Sequence, residues 1–591
     1  MNNSENYDAD VLVVGTGPMG ATAALALATY GVRVQVISKW SWLSTTPRAH
    51  ITNQRAVEVL RDLGIEKEVT LYATPWDKMG DTLFTTSLAG PEIARLRTWG
   101  TGDERYGDYL AGSPCPMLDV PQTYMEPVLV TNAASRGAIV SFNTEYLSHV
   151  QDDEGVTATL KNRLTGTTYT QRFRYLVGAD GAKSQIADEI GLPIEGELAR
   201  AGTVYVQFKA DLSTYVAHRP SILYWIMNPT ASFGEIGMGL LRAVRPWHQW
   251  IGGWGFDMSK GDPDTSPETA LRNIRALVGD PTLEIEIESI SPWYVNRAQA
   301  TTYSKGRVFC GGDAVHRHPP SSGLGSNTSI QDAYNLAWKL AFVIKGYADP
   351  DLLDSYSLER APVGAQVVAR ANQSRVDYGP LNAAFAAPGA DDLLAAGLAK
   401  INAPTAEGAK VRAELLEALD LKNYEFNAQG TESNQRYESG AVIEDPEEAP
   451  EVWRRDKALY LQQTSRPGAK IPHTWLVDGD GHRVSTLDVT CGGQLSIVTG
   501  LSGQAWVTAA EELGLPFLRT VVVGGEVVKD PYGNWAHIRE IEEGGVLLIR
   551  PDGYVAWRHR AAVYKPEDAR RLLNGALTRL LGASVIENVH A

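Results

Sequence analysis
The sequence predicts an α/β fold, and three strand-to-loop junctions carry that reading. The first is Asp10-Val-Leu-Val-Val14, which runs into Gly15-Thr-Gly-Pro-Met-Gly20 and an alanine-rich stretch to Thr29. The second is Tyr175-Leu-Val-Gly-Ala-Asp180-Gly181, and the third is the segment from Gly306 to Leu340. In each, an apolar strand ends in a glycine or acidic turn, the place where open α/β sheets hold ligands.

Taken in chain order, the first junction has the strand, glycine loop and helix order of a Rossmann-like dinucleotide site, followed by a second strand from Val32 to Ile37. Gly15, Gly17 and Gly20 let the backbone turn tightly and approach a pyrophosphate, which then rests on the helix N-terminus. The motif expects an acidic residue at the end of the second strand, yet the chain reads Ile37-Ser38-Lys39-Trp40 there. Ser38 and Lys39 therefore stand as candidates for the adenosine end, one as a hydrogen-bonding group and the other beside a phosphate or the adenine.

The Asp180-Gly181 junction has the bland reading of a tight turn. In the third junction, Val308 and Phe309 form a strand, and Asp313 offers a carboxylate to hydroxyls. Pro319 and Pro320 stiffen the turns. Gly323 and Gly325 permit close backbone approach, and Ser326, Asn327 and Thr328 supply capping groups and free N–H donors for a helix. Ile330, Ala333, Tyr334, Ala337, Ala341 and Ile344 recur at one-face helical spacing, and the partial positive charge at such a helix start suits a reduced, anionic ring.

Between Ala201 and Tyr294, alternating runs such as Thr203–Phe208 and Ile222–Ile226 predict a sheet with one buried face. Tyr224, Trp225 and Trp293 are each read either as the wall of an aromatic substrate pocket or as simple core, and Arg242 and Arg245 stay equally open. Ala383 to Leu421 is helical in spacing and joins two bodies. Glu444 to Glu451, acidic with prolines, reads as an exposed connector. The remainder shows strands at Gln494–Thr499, Leu518–Val523 and Gly545–Ile549, with a turn at Arg550-Pro-Asp-Gly553.

A formal net charge of −16 argues against a nucleic-acid partner, and 43% hydrophobic residues suffice for large cores. Neither a membrane-spanning run nor a signal-peptide pattern is found, and Cys115, Cys310 and Cys491 are too scattered for a disulfide framework, so a cytoplasmic location is expected. His316 and His318, flanking Arg317, lack the further ligands of a metal centre; no metal is expected.

Together the three motifs, with Thr46 to Gly64 (TPRAHITNQRAVEVLRDLG), His218 to Trp225 and His316 to Pro320, resemble the single-component, class A flavoprotein aromatic hydroxylases, in the 2,4-dichlorophenol 6-monooxygenase and phenol hydroxylase branch. The resemblance covers nearly the whole chain. It implies a Rossmann-like FAD-binding domain of the p-hydroxybenzoate hydroxylase type (1–80, 112–190 and 295–380), an inserted substrate domain built on a β-sheet (81–111 and 191–294), a helical segment and linker (381–460), and a thioredoxin-like C-terminal domain (461–591). No C-x-x-C exists, so the last domain is expected to be structural or oligomerising rather than redox-active.

The resemblance also implies roles by position. Arg48 and Gln122 steady the ribityl and phosphate region, Asp313 binds ribityl hydroxyls, Pro320 lies by the substrate edge of the flavin, and the backbone of Gly325, Ser326 and Asn327 meets the pyrimidine end. Asp180 links the cofactor and nicotinamide regions, although Ala187 stands where an arginine is usual. The implied cofactors are FAD and NADPH, with NADH as an option, and the implied partners are a small aromatic substrate, O2 and a second copy or more of the chain. The reaction forms a flavin hydroperoxide and hydroxylates a phenolic, possibly chlorinated, ring ortho to its hydroxyl. His50 takes the slot of an acidic residue beside that hydroxyl and is read either as the activating base or as a structural histidine in the turn before a helix. Other readings are a hydroxylase of a hydroxypyridine or polyketide-type ring and a non-enzymatic flavin-binding protein. A flavin halogenase would need a G-W-x-W-x-I-P string, where Gly253-Trp-Gly-Phe256 is the nearest match.

Overall fold
The computed structural model describes residues 6–228, 236–445 and 448–583. Its organising element is a six-stranded sheet in the order Ser304–Lys305, Val308–Cys310, Tyr175–Gly178, Val11–Val14, Val34–Ile37, Ile139–Ser141. All strands run parallel except the Ser304–Lys305 edge. Val11–Val14 and Tyr175–Gly178 are buried throughout, the apolar signature of parallel strands covered on both faces. Three strands adjacent in space and parallel in direction bring the three glycine and acidic turns to one edge of the sheet, with the order switching about the first strand.

Helices Pro18–Thr29 and Gly325–Ile344 pack against each other over this sheet. The second departs from the one-faced reading of its sequence: every residue from Asn327 to Phe342 is buried. Its polar positions are satisfied inside the protein, with Asp332 accepting from His316 Nε2 at 2.9 Å and Arg360 Nε at 2.7 Å, and Lys339 donating to Glu359 at 2.8 Å. Its start also differs. Leu324 occupies the cap position without a side-chain bond, and Ser326, Asn327 and Thr328 do not cap. Thr328 Oγ1 donates instead to the Leu324 carbonyl.

An eight-stranded sheet stands beside this body, in the order His316–Arg317, Glu286–Ala300, Ile194–Lys209, Gln249–Phe256, Gly239–Arg245, Leu223–Ile226, Asp81–Thr85, Glu92–Arg97. Leu223 pairs with Arg242 and Trp225 with Leu240, so these four share one face. That face meets helices Gly379–Phe385, Leu393–Asn402 and Ala406–Leu421 around Trp99, Tyr378 and Phe385. The other face carries Tyr224, Leu241, Ala243 and Trp250 and is covered by helix Pro267–Val278.

The C-terminal body is a seven-stranded sheet in which Leu495–Gly500 lies parallel to Leu518–Val523 and antiparallel to Val546–Ile549. Helices Gln504–Leu513 and Pro566–Leu581 cover one face and share a continuous core with the first body. In the acidic run, of which 446–447 lie outside the described residues, Glu444, Asp445, Ala449 and Pro450 are exposed, while Glu451 is bound by Arg436 at 2.8 Å and Glu448 pairs with Arg466 and the buried Arg558. No helix among the described residues is long and apolar enough to cross a membrane.

Candidate functional site
The glycine loop is shaped by contacts that leave no room for side chains. A Cβ on Gly15, whose φ is +113°, would stand 2.2 Å from the Ala179 carbonyl oxygen, and one on Gly20 would stand 1.9 Å from the Gly15 carbonyl oxygen. The first and second junctions therefore touch. Gly17 faces open space with Glu126 Oε1 as its nearest neighbour, and the helix starting at Pro18 has neither a side-chain cap nor an acidic residue in its first turn. The helix starting at Gly325 is likewise uncapped and free of acidic groups at its start. Two neighbouring helices thus present unclaimed N–H groups and positive dipole ends, a donor set that fits the pyrophosphate and the anionic ring of FAD.

The third junction is held from below. Asp332 Oδ2 accepts from the Gly312 N–H at 3.1 Å and from His316, which fixes the turn so that Asp313 projects outward, exposed. His316 is thereby an internal strut. Asn327 is a buried pin: its Oδ1 accepts from Asn53 N–H at 2.9 Å, and its Nδ2 donates to the Ile51 carbonyl at 2.8 Å and the Gly323 carbonyl at 2.5 Å. It fastens the proline and glycine loop carrying Pro320 to the short strand Ile51–Thr52, directly after His50.

His50 lies at the centre of a buried charged group. Ile51–Thr52 pairs with Leu118–Asp119, which sets the His50 Nδ1 3.6 Å from Asp119 Oδ1. Asp119 also accepts from Arg242 Nη2 at 2.7 Å and from Thr74 Oγ1 at 2.7 Å. Burial would raise the Asp119 carboxyl, but Arg242, His50 and Thr74 together hold it down at about 2. Burial and the Arg242 cation push His50 below its ordinary 6.5 despite Asp119, so the ring is neutral at pH 7. Neither ring nitrogen has a hydrogen-bond partner. A neutral imidazole backed by a carboxylate, with its second nitrogen unclaimed, is equipped to take a proton.

The other expected residues separate into groups. Trp225 lies on the Arg242 face and packs against Tyr378 with ring centroids 4.8 Å apart. Tyr224 does not join it, because neighbouring strand residues point to opposite faces; its hydroxyl is spent inside the core on the Arg219 carbonyl at 3.0 Å. Trp293 is half-buried on the outer strand Glu286–Ala300, paired with Thr203, away from both. Gln122 donates to Glu126 Oε1 at 2.5 Å, and Glu126 accepts from the Ser44 N–H, so this helix start and the loop carrying Arg48 are tied beside Gly17. Arg48 is exposed and makes no ion pair among the described residues. Ser38 is buried and accepts from the Trp40 N–H at 3.3 Å, while Lys39 is exposed, 5.5 Å from the Trp40 ring centre. Asp180 accepts from Ser184 Oγ at 2.6 Å and from the Ile186 N–H, organising its own turn. Sequence reasoning passed over Asp119, Thr74, Glu126 and Asp332. Asp332 lies within the third junction, Glu126 one turn after Gln122 and Asp119 two residues before Pro121, whereas Thr74 reaches the site only through the fold.

A family model described as an FAD binding domain matches residues 8–371, and one described as the C-terminal part of aromatic-ring hydroxylases matches 464–584. The chain is 48% identical over 582 residues to 2,4-dichlorophenol 6-monooxygenase of Cupriavidus pinatubonensis, covering 97% of this chain and 96% of that one. It is 46% identical to phenol 2-monooxygenase of Pseudomonas sp. (strain EST1001), covering 96% and 92%. Among solved structures, the flavin-dependent monooxygenase PieE in complex with FAD and substrate superposes with a TM-score of 0.91 at 40% identity, over 98% of this chain and 99% of PieE. With the uncapped helix pair, the converging turns and matches over nearly its full length, the chain belongs to the FAD-dependent aromatic-ring hydroxylases.

Proposed function
We propose that the chain is an FAD-dependent monooxygenase that hydroxylates a phenolic ring, chlorinated phenols included, ortho to its hydroxyl, with NAD(P)H as reductant and O2 as oxidant. The observation that carries this reading is the buried, neutral His50 with Asp119 at its back, next to the loop of Pro320. The names of the relatives at 46–48% identity support the substrate class.

When bound, FAD supplies the activation of O2 and the delivery of an electrophilic oxygen. The chain's own part is to hold the ring and raise its electron density. A phenol with a pKa of about 10 is almost entirely neutral at pH 7. His50 Nε2 takes the phenolic proton, and Asp119 stabilises the imidazolium so formed. Arg242 balances the Asp119 charge and keeps the carboxylate ionised. Trp225, Trp99 and Tyr378 exclude water from the ring's face. Gly15, Gly17, Gly20 and the backbone of Gly325, Ser326 and Asn327 hold the cofactor's negative groups, Asp313 its ribityl hydroxyls, and Gln122, Arg48, Ser38 and Lys39 its outer length; Asp180 braces the turn beneath Gly15, and Pro320 faces the substrate.

A polyketide-type or hydroxypyridine ring is the second reading, favoured by the 33% identity to tetracenomycin A2 monooxygenase-dioxygenase of Streptomyces glaucescens. Screening phenols, chlorophenols, hydroxypyridines and polycyclic phenols for stimulated NAD(P)H oxidation, with product mass, decides between the two. A chlorophenol that gains one oxygen at near-stoichiometric coupling supports the first reading; coupling only with polycyclic phenols refutes it.

The domain boundaries given above belong to the same proposal: 81–97 and 194–294 lie in the eight-stranded sheet, while strand Glu286–Ala300 runs across the 294/295 boundary and His316–Arg317 adds an edge strand from the first body. A thioredoxin-like C-terminal body is supported by its strand order, Leu518–Val523, Leu495–Gly500, Val546–Ile549, Val555–His559, with helices after the first, second and fourth strands in chain order. Its role would be structural. A cytoplasmic location is supported by the buried, unpaired Cys115, Cys310 and Cys491, and a homo-oligomer belongs to the same proposal.

A further inference from the structure
Lys422, the residue after helix Ala406–Leu421, is fully buried, and its ammonium group holds three partners at once. Nζ donates to the Ser374 carbonyl at 2.8 Å, pairs with Glu425, and stands 3.3 Å from the centre of the Tyr378 ring. A buried charge is costly unless it is paired and hydrogen-bonded, and here a carbonyl, a carboxylate and the electron-rich face of a ring all meet it.

Each partner leads to a different wall of the site. Tyr378 packs on Trp225 with ring centres 4.8 Å apart, on the sheet face that carries Arg242. Ser374 lies in the last turn of helix Ser355–Val376; its Oγ accepts from Arg370 Nε at 3.1 Å and stands 2.9 Å from Ser322 Oγ. Ser322 belongs to the turn directly after Pro320 and holds a left-handed φ of +68°. The segment after Lys422 is tied to the same sheet, since the Phe426 carbonyl accepts from the Trp99 N–H at 3.0 Å and Asn427 Nδ2 donates to the Arg97 carbonyl at 2.8 Å. One side chain therefore sits where the aromatic wall and the proline loop are joined. An apolar side chain of like volume would fill the space, but only a donor fixes the Ser374 carbonyl against the Tyr378 ring in one direction.

We propose that Lys422 is a positioning residue of the hydroxylation: it holds the Trp225–Tyr378 wall and the Pro320–Gly323 turn at one separation, and so sets the distance from the phenol's ring carbon to the oxygen delivered at the flavin. This inference rests on the hydroxylase reading. With the ring aligned, phenol, O2, NAD(P)H and a proton give an ortho-diol, NAD(P)+ and water. With the ring displaced, the hydride and the proton leave on oxygen as hydrogen peroxide, and the phenol is unchanged. A displacement of about 1 Å can cost about 10²-fold in an aligned step, so product formed per NAD(P)H consumed reports the alignment.

The test compares the FAD-loaded native enzyme with a Lys422→Met/Glu425→Gln enzyme and a Ser322→Gly enzyme, each normalised to bound flavin. The double replacement leaves no unpaired buried carboxylate, and glycine accepts the φ of Ser322. Product per NAD(P)H should fall about tenfold in the double variant and about threefold in Ser322→Gly, with peroxide rising to match. Phenol affinity, read from the flavin absorbance without reductant, should stay within about threefold of native. A merely structural role would reduce the yield of folded, flavin-loaded protein and leave the ratio native, so a native ratio in the double variant overturns the proposal, as does a phenol affinity lowered about tenfold or more, which would make Lys422 a binding residue instead. If the double variant does not fold, the ratio in Ser322→Gly decides in the same way. A native enzyme that consumes NAD(P)H and hydroxylates no phenol overturns the hydroxylase reading and this inference together, whereas a native ratio in the variants overturns this inference alone.

Discussion

Replacing His50 with Asn isolates the proton transfer from the rest of the site. His50 Nδ1 stands 3.6 Å from Asp119, and when the ring is removed Asp119 keeps Arg242 and Thr74. The stability cost is therefore that of a small buried void, about 1–2 kcal/mol. The catalytic cost is larger. Without a base, the reactive species is the phenolate already present, about one part in a thousand at pH 7 for a pKa of about 10. Product formation should fall by about 10³ at pH 7, within the span general bases supply, and the deficit should shrink roughly tenfold for each pH unit gained. The native enzyme should be flat across neutral pH and lose activity only in acid, because His50 titrates below 6.5. Product quantified by chromatography between about pH 6 and pH 9.5 gives both profiles. Parallel profiles for the two enzymes would refute the assignment of His50 as base.

Gly20→Ala places a Cβ 1.9 Å from the Gly15 carbonyl oxygen, so the purified protein should carry little FAD; full flavin absorbance would contradict the loop's assignment. Asn327→Ala removes three buried hydrogen bonds and should cost about 2–4 kcal/mol in denaturant unfolding, a loss that a midpoint equal to the native one would disprove. Arg550 joins the two bodies by pairing, fully buried, with Glu359 and Asp552; Arg550→Met takes the buried cation from Asp552 and leaves Glu359 only Lys339, and should lower stability by about 3–5 kcal/mol, seen as earlier melting of the C-terminal body. Burial pushes Glu432 up from its ordinary 4.5 to about 8, so the folded state holds a proton that the unfolded state releases, and stability falls as pH rises from 4.5 through 8. The gap corresponds to at most about 5 kcal/mol, and Glu432→Gln should flatten that slope in urea melts across the range; an unchanged slope would remove Glu432 as its source.

Gly15, Gly17 and Gly20, the Asp180 and Asp313 turns and the helix after Gly325 were legible in the chain because each is local: a strand of β-branched residues, a turn needing glycine, a helix start. Whatever depends on which strands are neighbours was not legible. Parallel pairing of Val11–Val14 with Tyr175–Gly178, and of the latter with Val308–Cys310, gathers turns that lie far apart along the chain. The choice between Tyr224 and Trp225 rests on which face of a strand meets the nucleotide body, and period-two patterning names two faces without saying which one is turned to the site. The charges decide last of all. Burial and the Arg242 cation hold His50 below its ordinary 6.5 against the pull of Asp119, and an ionisation set by neighbours in space has no signature in the order of residues along the chain.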